Sequence, residues 1–170
     1  MKGGFQFIFI LCLCVLAGAV RAAILPQGGE YPLLGDVPGH QYDPDLKLNP
    51  EGGMIVWQNA TADGQRNRIL AQGINADKEG KGAPQIISQN VPGQNDTAPS
   101  VALMKDGGAV VVGEAGPRET RDVFIRFLDS EGQFLTAIQQ VNTYGAGVQA
   151  NAAVAALDNG EVLVVWDSEE

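Results

Sequence analysis

The sequence is poor in the residues that build most catalytic and metal sites. It has one histidine, His40, and two cysteines, Cys12 and Cys14, which both lie in an apolar N-terminal segment. A single histidine excludes a histidine-rich metal site, and any serine–histidine–aspartate triad would depend on that one residue. The chain also lacks a phosphate-cradling glycine loop and a dinucleotide-binding fingerprint. We therefore predict no catalytic residue, no cofactor-binding residue and no dedicated cofactor.

Positive charge is scarce as well. Eleven lysines and arginines stand against twenty aspartates and glutamates, which gives a formal net charge of −9. An acidic chain repels phosphate backbones and anionic lipid headgroups. The composition therefore argues against nucleic acid and against membrane surfaces as partners.

The N-terminus has the pattern of an export signal. An almost wholly apolar run from residue 5 to residue 20 follows Lys2 and ends in the small-residue patterns Ala17-Gly18-Ala19 and Val20-Arg21-Ala22. Its length suits a secretory signal and is short for a membrane span, although an uncleaved anchor is the alternative. We expect a signal helix over residues 1–22, cleaved near Ala19 or Ala22, and a secreted or cell-surface location. Cleavage would remove both cysteines, Lys2 and Arg21, changing the net charge from −9 to −9 − 2 = −11.

Beyond this segment the chain repeats itself. Residues 48–57 read LNPEGGMIVW, residues 103–113 read LMKDGGAVVVG, and residues 157–166 read LDNGEVLVVW. The closing positions are 57, 113 and 166, so they are spaced by 113 − 57 = 56 and 166 − 113 = 53 residues. A period of about 50 residues built from short strands indicates propeller blades, solenoids or tandem sandwiches.

Each repeat reads as short antiparallel strands joined by tight turns. The triplets at 106–108 and 158–160 are strong hairpin signals, since glycine and asparagine tolerate positive φ. The second strand, Met54–Trp57 in the first copy, is continuously apolar, which indicates burial on both faces. We predict an all-β fold of tandem four-stranded antiparallel units in an incomplete propeller-like array, with tandem β-sandwiches as the alternative. The expected divisions are an irregular leader at 23–39, unit 1 at 40–94, unit 2 at 95–148 and a partial unit 3 at 149–170.

Several polar and aromatic residues are candidates for a binding or catalytic site. Carboxylates recur at Asp43, Asp45, Asp63, Asp77, Asp96, Asp106, Glu114, Asp122, Asp129 and Asp158. Glycosidases need two carboxylates facing one sugar, but residues at repeated turn positions usually cap those turns. The segments 43–45 and 77–79 could offer oxygens to calcium without the full spacing of a dedicated loop, so calcium stays a weak possibility and the metal ligands unknown. Trp57 and Trp166 could stack on sugars, but their recurrence favours the core.

Part of the chain resembles a repeat of large secreted bacterial exoproteins. The resemblance covers about residues 40–170 and rests on Val141-Asn142-Thr143 with Gln149, on Val154-Ala155-Ala156-Leu157, and on Val164-Val165-Trp166-Asp167-Ser168. Such proteins look like adhesins or calcium-binding exoproteins with propeller-like repeats. Gly113 departs from the family pattern, which has tryptophan there, and the glycine-rich calcium repeat is missing.

Together these features predict a non-enzymatic secreted or surface module for binding or adhesion, whose partner is a protein or glycan surface. The alternative is a part of a propeller-type glycosidase or other extracellular hydrolase. The third unit stops after its second strand, which favours a fragment of a longer protein over chains that complete one another. The open strand edge at Val162–Trp166 could also support self-association.

Overall fold

The structure is a computed structural model that describes residues 29–61, 64, 66–88 and 94–169, together with the backbone of three short strands nearer the N-terminus. Every regular element among these residues is a β-strand. Four short strands precede the first repeat: β1 (Phe9–Ile10), β2 (Leu13–Val15), β3 (Ile24–Pro26) and β4 (Tyr31–Pro32). β1 pairs antiparallel with β4, and β2 pairs antiparallel with β3.

The prediction of an N-terminal signal helix is wrong for the described part of that segment. Residues 9–10 and 13–15 form the strands β1 and β2, and residues 11 and 12 lie outside the described residues. A short apolar run does not distinguish helix from strand, and Phe, Ile and Val favour strands. The expected cleavage sites at Ala19 and Ala22 lie outside the described residues.

The repeat units form sheets that we call blades. Blade 1 contains, in spatial order, β5 (His40–Asn49), β6 (Gly52–Ala60), β7 (Asn67–Ile74) and β8 (Gly80–Ile86). Blade 2 contains β9 (Thr97–Leu103), β10 (Ala109–Ala115), β11 (Asp122–Leu128) and β12 (Gln139–Gln140). Blade 3 has two strands in the described residues, β13 (Gln149–Ala156) and β14 (Val162–Ser168). All neighbouring strands are antiparallel, which confirms the all-β array of four-stranded units.

Tight turns join the first two strands of each blade where the sequence places them. Gly107 and Gly160 both have φ of 87°, a conformation that favours glycine. In the turn of blade 2, the Asp106 side chain accepts a hydrogen bond from the Gly108 amide at 3.0 Å. The carboxylates at 106 and 129 therefore cap turns, as the repeat pattern predicted.

Three apolar clusters hold the blades together. The first lies between blades 1 and 2 and includes Met54, Val56, Ile69, Val101, Val111 and Phe124. The second packs the leader onto the opposite face of blade 1, with Leu33 against Ile55, Trp57 and Ile74. The third joins Val112 and Val123 of blade 2 to Ala152 of blade 3. Because blades 1 and 2 are covered on both faces, β6 and β10 tolerate continuous apolar sequence.

The three closing positions of the repeat have different surroundings. Trp57 is fully buried against the leader, so its expected place in the core is confirmed, whereas Trp166 is 36% exposed and the same expectation is wrong for it. The Trp166 indole donates to Gln149 Oε1 at 3.1 Å. A Cβ at Gly113 would collide with Ile69 Cδ1 of blade 1, so the side chain of the neighbouring blade fills the space that tryptophan occupies in the first repeat.

Within the described part of the chain, no helix is long and apolar enough to cross a membrane.

Candidate functional site at the central bulges

The first strand of every blade carries a β-bulge at the same point of the repeat. The register breaks between Tyr42 and Asp45 in β5, between the partners of Val112 and Glu114 in β9, and between Ala150 and Ala153 in β13. A bulge bends its strand and redirects a side chain, and bulges are common beside active sites. We call these three features the central bulges.

Each central bulge contains a non-glycine residue with a left-handed backbone. Asp43, Ala98 and Asn151 have φ of 46°, 49° and 54°, and they are spaced by 98 − 43 = 55 and 151 − 98 = 53 residues. Such backbone conformations are costly for residues other than glycine and cluster at functional sites. The repetition of this conformation in three blades marks the start of the first strands as a shared site.

Asp45 ties the bulge of blade 1 to blade 2. Its Oδ2 accepts hydrogen bonds from the Val101 amide at 2.9 Å and from Ser100 Oγ at 3.2 Å, and Lys47 Nζ lies 2.7 Å from Oδ1. Burial raises the pKa of Asp45, but these hydrogen bonds and the charge of Lys47 outweigh it and hold the pKa below its usual value. Asp45 is therefore an anion near neutral pH, and its hydrogen bonds connect blade 1 to blade 2.

Glu114 performs the same task between blades 2 and 3. Its carboxylate is buried, and its Oε2 accepts from Arg121 Nη1 at 2.8 Å and from Thr97 Oγ1 at 3.0 Å. Its Oε1 accepts from the Asn151 amide at 2.8 Å, inside the third bulge. The Glu114 carboxylate, paired with Arg121, thus connects Thr97 of the second bulge to the backbone of Asn151 in the third.

A buried polar position precedes each bulge by two residues. Gln41, Asp96 and Gln149 occupy it, and all three are buried. Gln41 donates to the carbonyls of Val37 and Gly39, and Gln149 donates to the carbonyl of Ala146, so the amides hold the entering loops. In Asp96, burial raises the pKa against the opposing effects of Ser88 and Arg68, and one carboxylate oxygen has no hydrogen-bond partner.

The solvent side of the first bulge combines a carboxylate with aromatic rings. Asp43 is exposed, and the neighbouring Tyr42 is 39% exposed. The rings of Tyr42 and His40 lie 6.2 Å apart, centroid to centroid, with their planes inclined by 31°. An exposed carboxylate beside an aromatic face offers an acceptor and an apolar platform, the two features that contact a sugar ring.

A cleft lies between blades 1 and 2 at the opposite ends of the strands. It has a volume of about 360 Å³ and is lined by strand and turn residues of both blades, among them Glu51, Lys81, Asp129 and Glu131. Lys81 Nζ donates to the Ser130 carbonyl and Gln85 Nε2 to the Gly132 carbonyl, both at 3.2 Å. These bonds join the outer parts of the two blades.

The sequence-based candidates are only partly brought together. Asp43, Asp45, Asp96 and Glu114 lie near the central bulges, whereas the segment 77–79 lies in the turn after β7. Asp45, Asp96 and Glu114 are not turn caps, because their hydrogen bonds or burial tie them to neighbouring strands. Among residues that the structure describes, no three histidine, cysteine, aspartate or glutamate side chains form a group able to hold a metal ion.

Sequence reasoning missed Arg121, Thr97, Asn151 and Tyr42. Arg121, Thr97 and Asn151 act through hydrogen bonds to Glu114, which lies 7, 17 and 37 residues away in the chain, and the Asn151 bond joins two blades. The signal that could have found the site was the recurrence of the segments YDP, TAP and ANA at residues 42–44, 97–99 and 150–152, each with the left-handed residue in second place and the first two with proline after it.

The chain is similar in structure to solved carbohydrate-active enzymes. An α-L-arabinanase from Penicillium chrysogenum superposes with a TM-score of 0.58 and 15% identity over 92% of this chain and 48% of that one. An endo-arabinase from Bacteroides thetaiotaomicron superposes with a TM-score of 0.50 and 15% identity over 95% of this chain and 67% of that one. An α-L-arabinofuranosidase from Fusarium graminearum superposes with a TM-score of 0.55 and 17% identity over 84% of this chain and 44% of that one.

No protein-family model and no curated protein sequence matches the chain. The chain spans about half the length of the Penicillium enzyme. At these identities the likeness establishes the fold, a β-propeller-like array.

The comparisons contradict two expectations, a non-catalytic adhesion module and a chain that is not an enzyme, because all three solved neighbours are glycoside-cleaving enzymes. The error has a physical source. A site at the centre of the array can take one polar residue from each of several blades. Such residues are far apart in the sequence, so the lack of a polar cluster in any one segment does not exclude a catalytic site.

Proposed function

We propose that this chain belongs to an exported glycoside hydrolase of the propeller type, which acts on arabinose-containing glycans. The central bulges carry the proposal, because Asp43 is exposed to solvent in the first bulge, Asp45 joins blade 1 to blade 2, and Glu114 joins blade 2 to the third bulge. The arabinan-cleaving neighbours support the proposed substrate class. The N-terminal apolar segment supports the proposed export.

In this proposal Asp43 is a carboxylate that contacts the sugar at the reacting centre. Hydrolysis of a glycosidic bond uses carboxylates to move protons and to stabilise positive charge on the sugar ring. Tyr42 supplies an apolar face next to Asp43 and contributes to binding. Asp45, Glu114 and Arg121 are positioning residues, since their polar atoms are engaged with neighbouring blades.

The test is hydrolysis and binding of defined glycans by the chain after removal of residues 1–22. Linear arabinan and arabino-oligosaccharides are compared with xylan and cellulose, by release of reducing ends and by calorimetric titration. We expect the arabinose-containing glycans to be preferred. The Asp43→Asn variant should lose about 10²-fold or more of the hydrolytic rate, the usual contribution of a positioned acid or base.

The matched control is Asp158→Asn, which removes an exposed carboxylate from the hairpin turn of blade 3. This control should hydrolyse arabinan at the wild-type rate, and Tyr42→Ala should weaken binding. Absence of both binding and hydrolysis of every arabinose-containing glycan by the folded chain would refute the proposal. Equal rates for Asp43→Asn and wild type would refute the role of Asp43.

A further inference from the structure

The residue after the closing position of each repeat is polar. Gln58, Glu114 and Asp167 occupy this position, and their spacings of 114 − 58 = 56 and 167 − 114 = 53 residues match those of the closing positions. All three lie on the second strand of their blade, β6, β10 or β14. Gln58 and Glu114 are buried, at 8% and 2% exposure, and buried polar side chains are almost always hydrogen-bonded.

Two of the three side chains have their hydrogen bonds within the protein. Glu114 accepts bonds from Thr97, Arg121 and the Asn151 amide. Asp167 Oδ2 accepts a bond from Asn151 Nδ2 at 2.8 Å. Both carboxylates therefore hold the third central bulge, one from blade 2 and one from blade 3.

Gln58 differs from both counterparts because its side-chain amide has no partner. It makes no side-chain hydrogen bond with any residue in the part of the chain that the structure describes. Neither of its amide atoms is among the fully buried unpartnered atoms of those residues, so both keep some contact with solvent. A largely buried amide that retains access to solvent and lacks a protein partner is available to a ligand.

The position of Gln58 places this amide at the first central bulge. Gln58 pairs with Tyr42 across β5 and β6, and directly paired residues of antiparallel strands lie on the same face of the sheet. Val56, two residues before Gln58 and hence on the same face, packs in the cluster between blades 1 and 2. Gln58 therefore faces blade 2 beside the exposed Tyr42, whose neighbour in the chain is Asp43.

We propose that Gln58 is a specificity-determining residue that binds two hydroxyl groups of a neutral sugar unit held at Tyr42 and Asp43, an inference that rests on the proposed function. An amide donates through its nitrogen and accepts through its oxygen, so it donates to one sugar oxygen and accepts from a second hydroxyl. The sugar thus supplies the partners that the protein does not. A carboxylate, as in Glu114, has no donor when ionised and would place a second negative charge beside Asp43.

The first experiment is calorimetric titration of a linear arabino-oligosaccharide into wild type and Gln58→Leu. Leucine keeps a similar size without the hydrogen-bonding atoms, so affinity should fall at least about tenfold through the loss of two hydrogen bonds. In hydrolysis, KM should rise more than kcat falls, because these bonds form in the ground state as well. The control Gln139→Leu removes an exposed amide from the outer strand of blade 2 and should leave the affinity unchanged.

Stability without glycan separates binding from a structural role. Because the Gln58 amide has no protein partner, Gln58→Leu should unfold at the same or a higher urea concentration than wild type. A variant that loses stability in proportion to its affinity would overturn the inference.

A chemically modified glycan tests the contact in the wild-type protein as well. Methylating the free hydroxyls of the oligosaccharide should weaken binding to wild type by about tenfold or more, and clearly less to Gln58→Leu, because the hydrogen bonds are already absent there. Equal effects of methylation on the two proteins would overturn the inference.

The outcomes distinguish this inference from the proposed function. If folded Gln58→Leu binds the arabino-oligosaccharide as tightly as wild type, the role of Gln58 is refuted and the proposed function stands. If wild type binds xylan or cellulose instead, and Gln58→Leu does not, the proposed substrate is wrong and the role of Gln58 is supported. If wild type binds no neutral glycan, both are refuted.

Discussion

Replacing Gly113 by alanine measures how tightly blades 1 and 2 are packed. A Cβ at this position would collide with Ile69 Cδ1, and it would lie 3.0 Å from two ring carbons of Phe124. Ile69 is fully buried and Phe124 is 3% exposed, so neither side chain can move into solvent. Adding one methyl group to a packed core costs about 1–3 kcal/mol.

An opposing effect makes the sign of this experiment informative. Gly113 does not have a left-handed backbone, so alanine restricts the unfolded chain and by itself stabilises by about 0.4–1 kcal/mol. We therefore expect Gly113→Ala to lower the free energy of unfolding by about 1–2 kcal/mol, measured by urea denaturation. The control Gly145→Ala adds a Cβ with nothing within 4 Å and should be neutral or slightly stabilising.

A double-mutant cycle assigns the cost to a single contact. Ile69→Val removes the Cδ1 atom that a Cβ at residue 113 would meet. In the Ile69→Val background, Gly113→Ala should cost at least about 0.5 kcal/mol less than in the wild type, because contacting residues are coupled. Two results would contradict the view that glycine is required at position 113 because Ile69 of blade 1 packs there. One is a Gly113→Ala variant that is more stable than the wild type; the other is an equal loss of unfolding free energy in both backgrounds.

Four further outcomes test the core and the carboxylates, each by urea denaturation. Trp57→Ala should lower the free energy of unfolding by about 3–5 kcal/mol, because the ring is fully buried. Trp166→Ala should lower it clearly less, because that ring is 36% exposed. Equal losses for the two variants would contradict the packing described. Glu114→Ala should cost about 3–5 kcal/mol, since it leaves the partly buried Arg121 guanidinium without its partner, and a cost under about 1 kcal/mol would contradict its role in connecting the blades. The pKa of Asp45 is lowered on folding, so its contribution to stability is present above the ordinary carboxyl pKa and is lost as pH falls through the lowered value; Asp45→Asn should reduce that loss at acidic pH. The pKa of Asp96 is raised, so stability should fall as pH rises from the ordinary carboxyl pKa through the raised value, and Asp96→Asn should abolish this fall.

The local fold was largely predictable from the sequence because its signals are local. The turns at 106–108 and 158–160 follow from residues that tolerate positive φ, and Gly107 and Gly160 adopt it. Continuous apolar sequence in Met54–Trp57 indicated burial on both faces, and those residues are at most 5% exposed. The N-terminal helix was wrong because an apolar run alone favours either element.

The site could not be predicted in the same way because its residues meet across blades. From the sequence, Asp45 and Glu114 are expected to cap turns. In the structure they instead accept hydrogen bonds from the amides of Val101 and Asn151 in the next blade, 56 and 37 residues away. A bulge depends on the register between two strands, which the sequence of one strand does not specify. The left-handed backbone of Asp43 is therefore visible only in the structure.

The most direct test of the account is to locate a glycan on the molecule. Amide chemical shifts of the chain lacking residues 1–22 are followed by NMR while an arabino-oligosaccharide is added. We expect the largest changes at Tyr42, Asp43, Ala98 and Asn151, around the central bulges, and little change in the hairpin turn at 157–161 at the other end of blade 3. Changes confined to that turn or to the cleft at Lys81 and Glu131, or no change at saturating oligosaccharide, would contradict the placement of a sugar site at the central bulges.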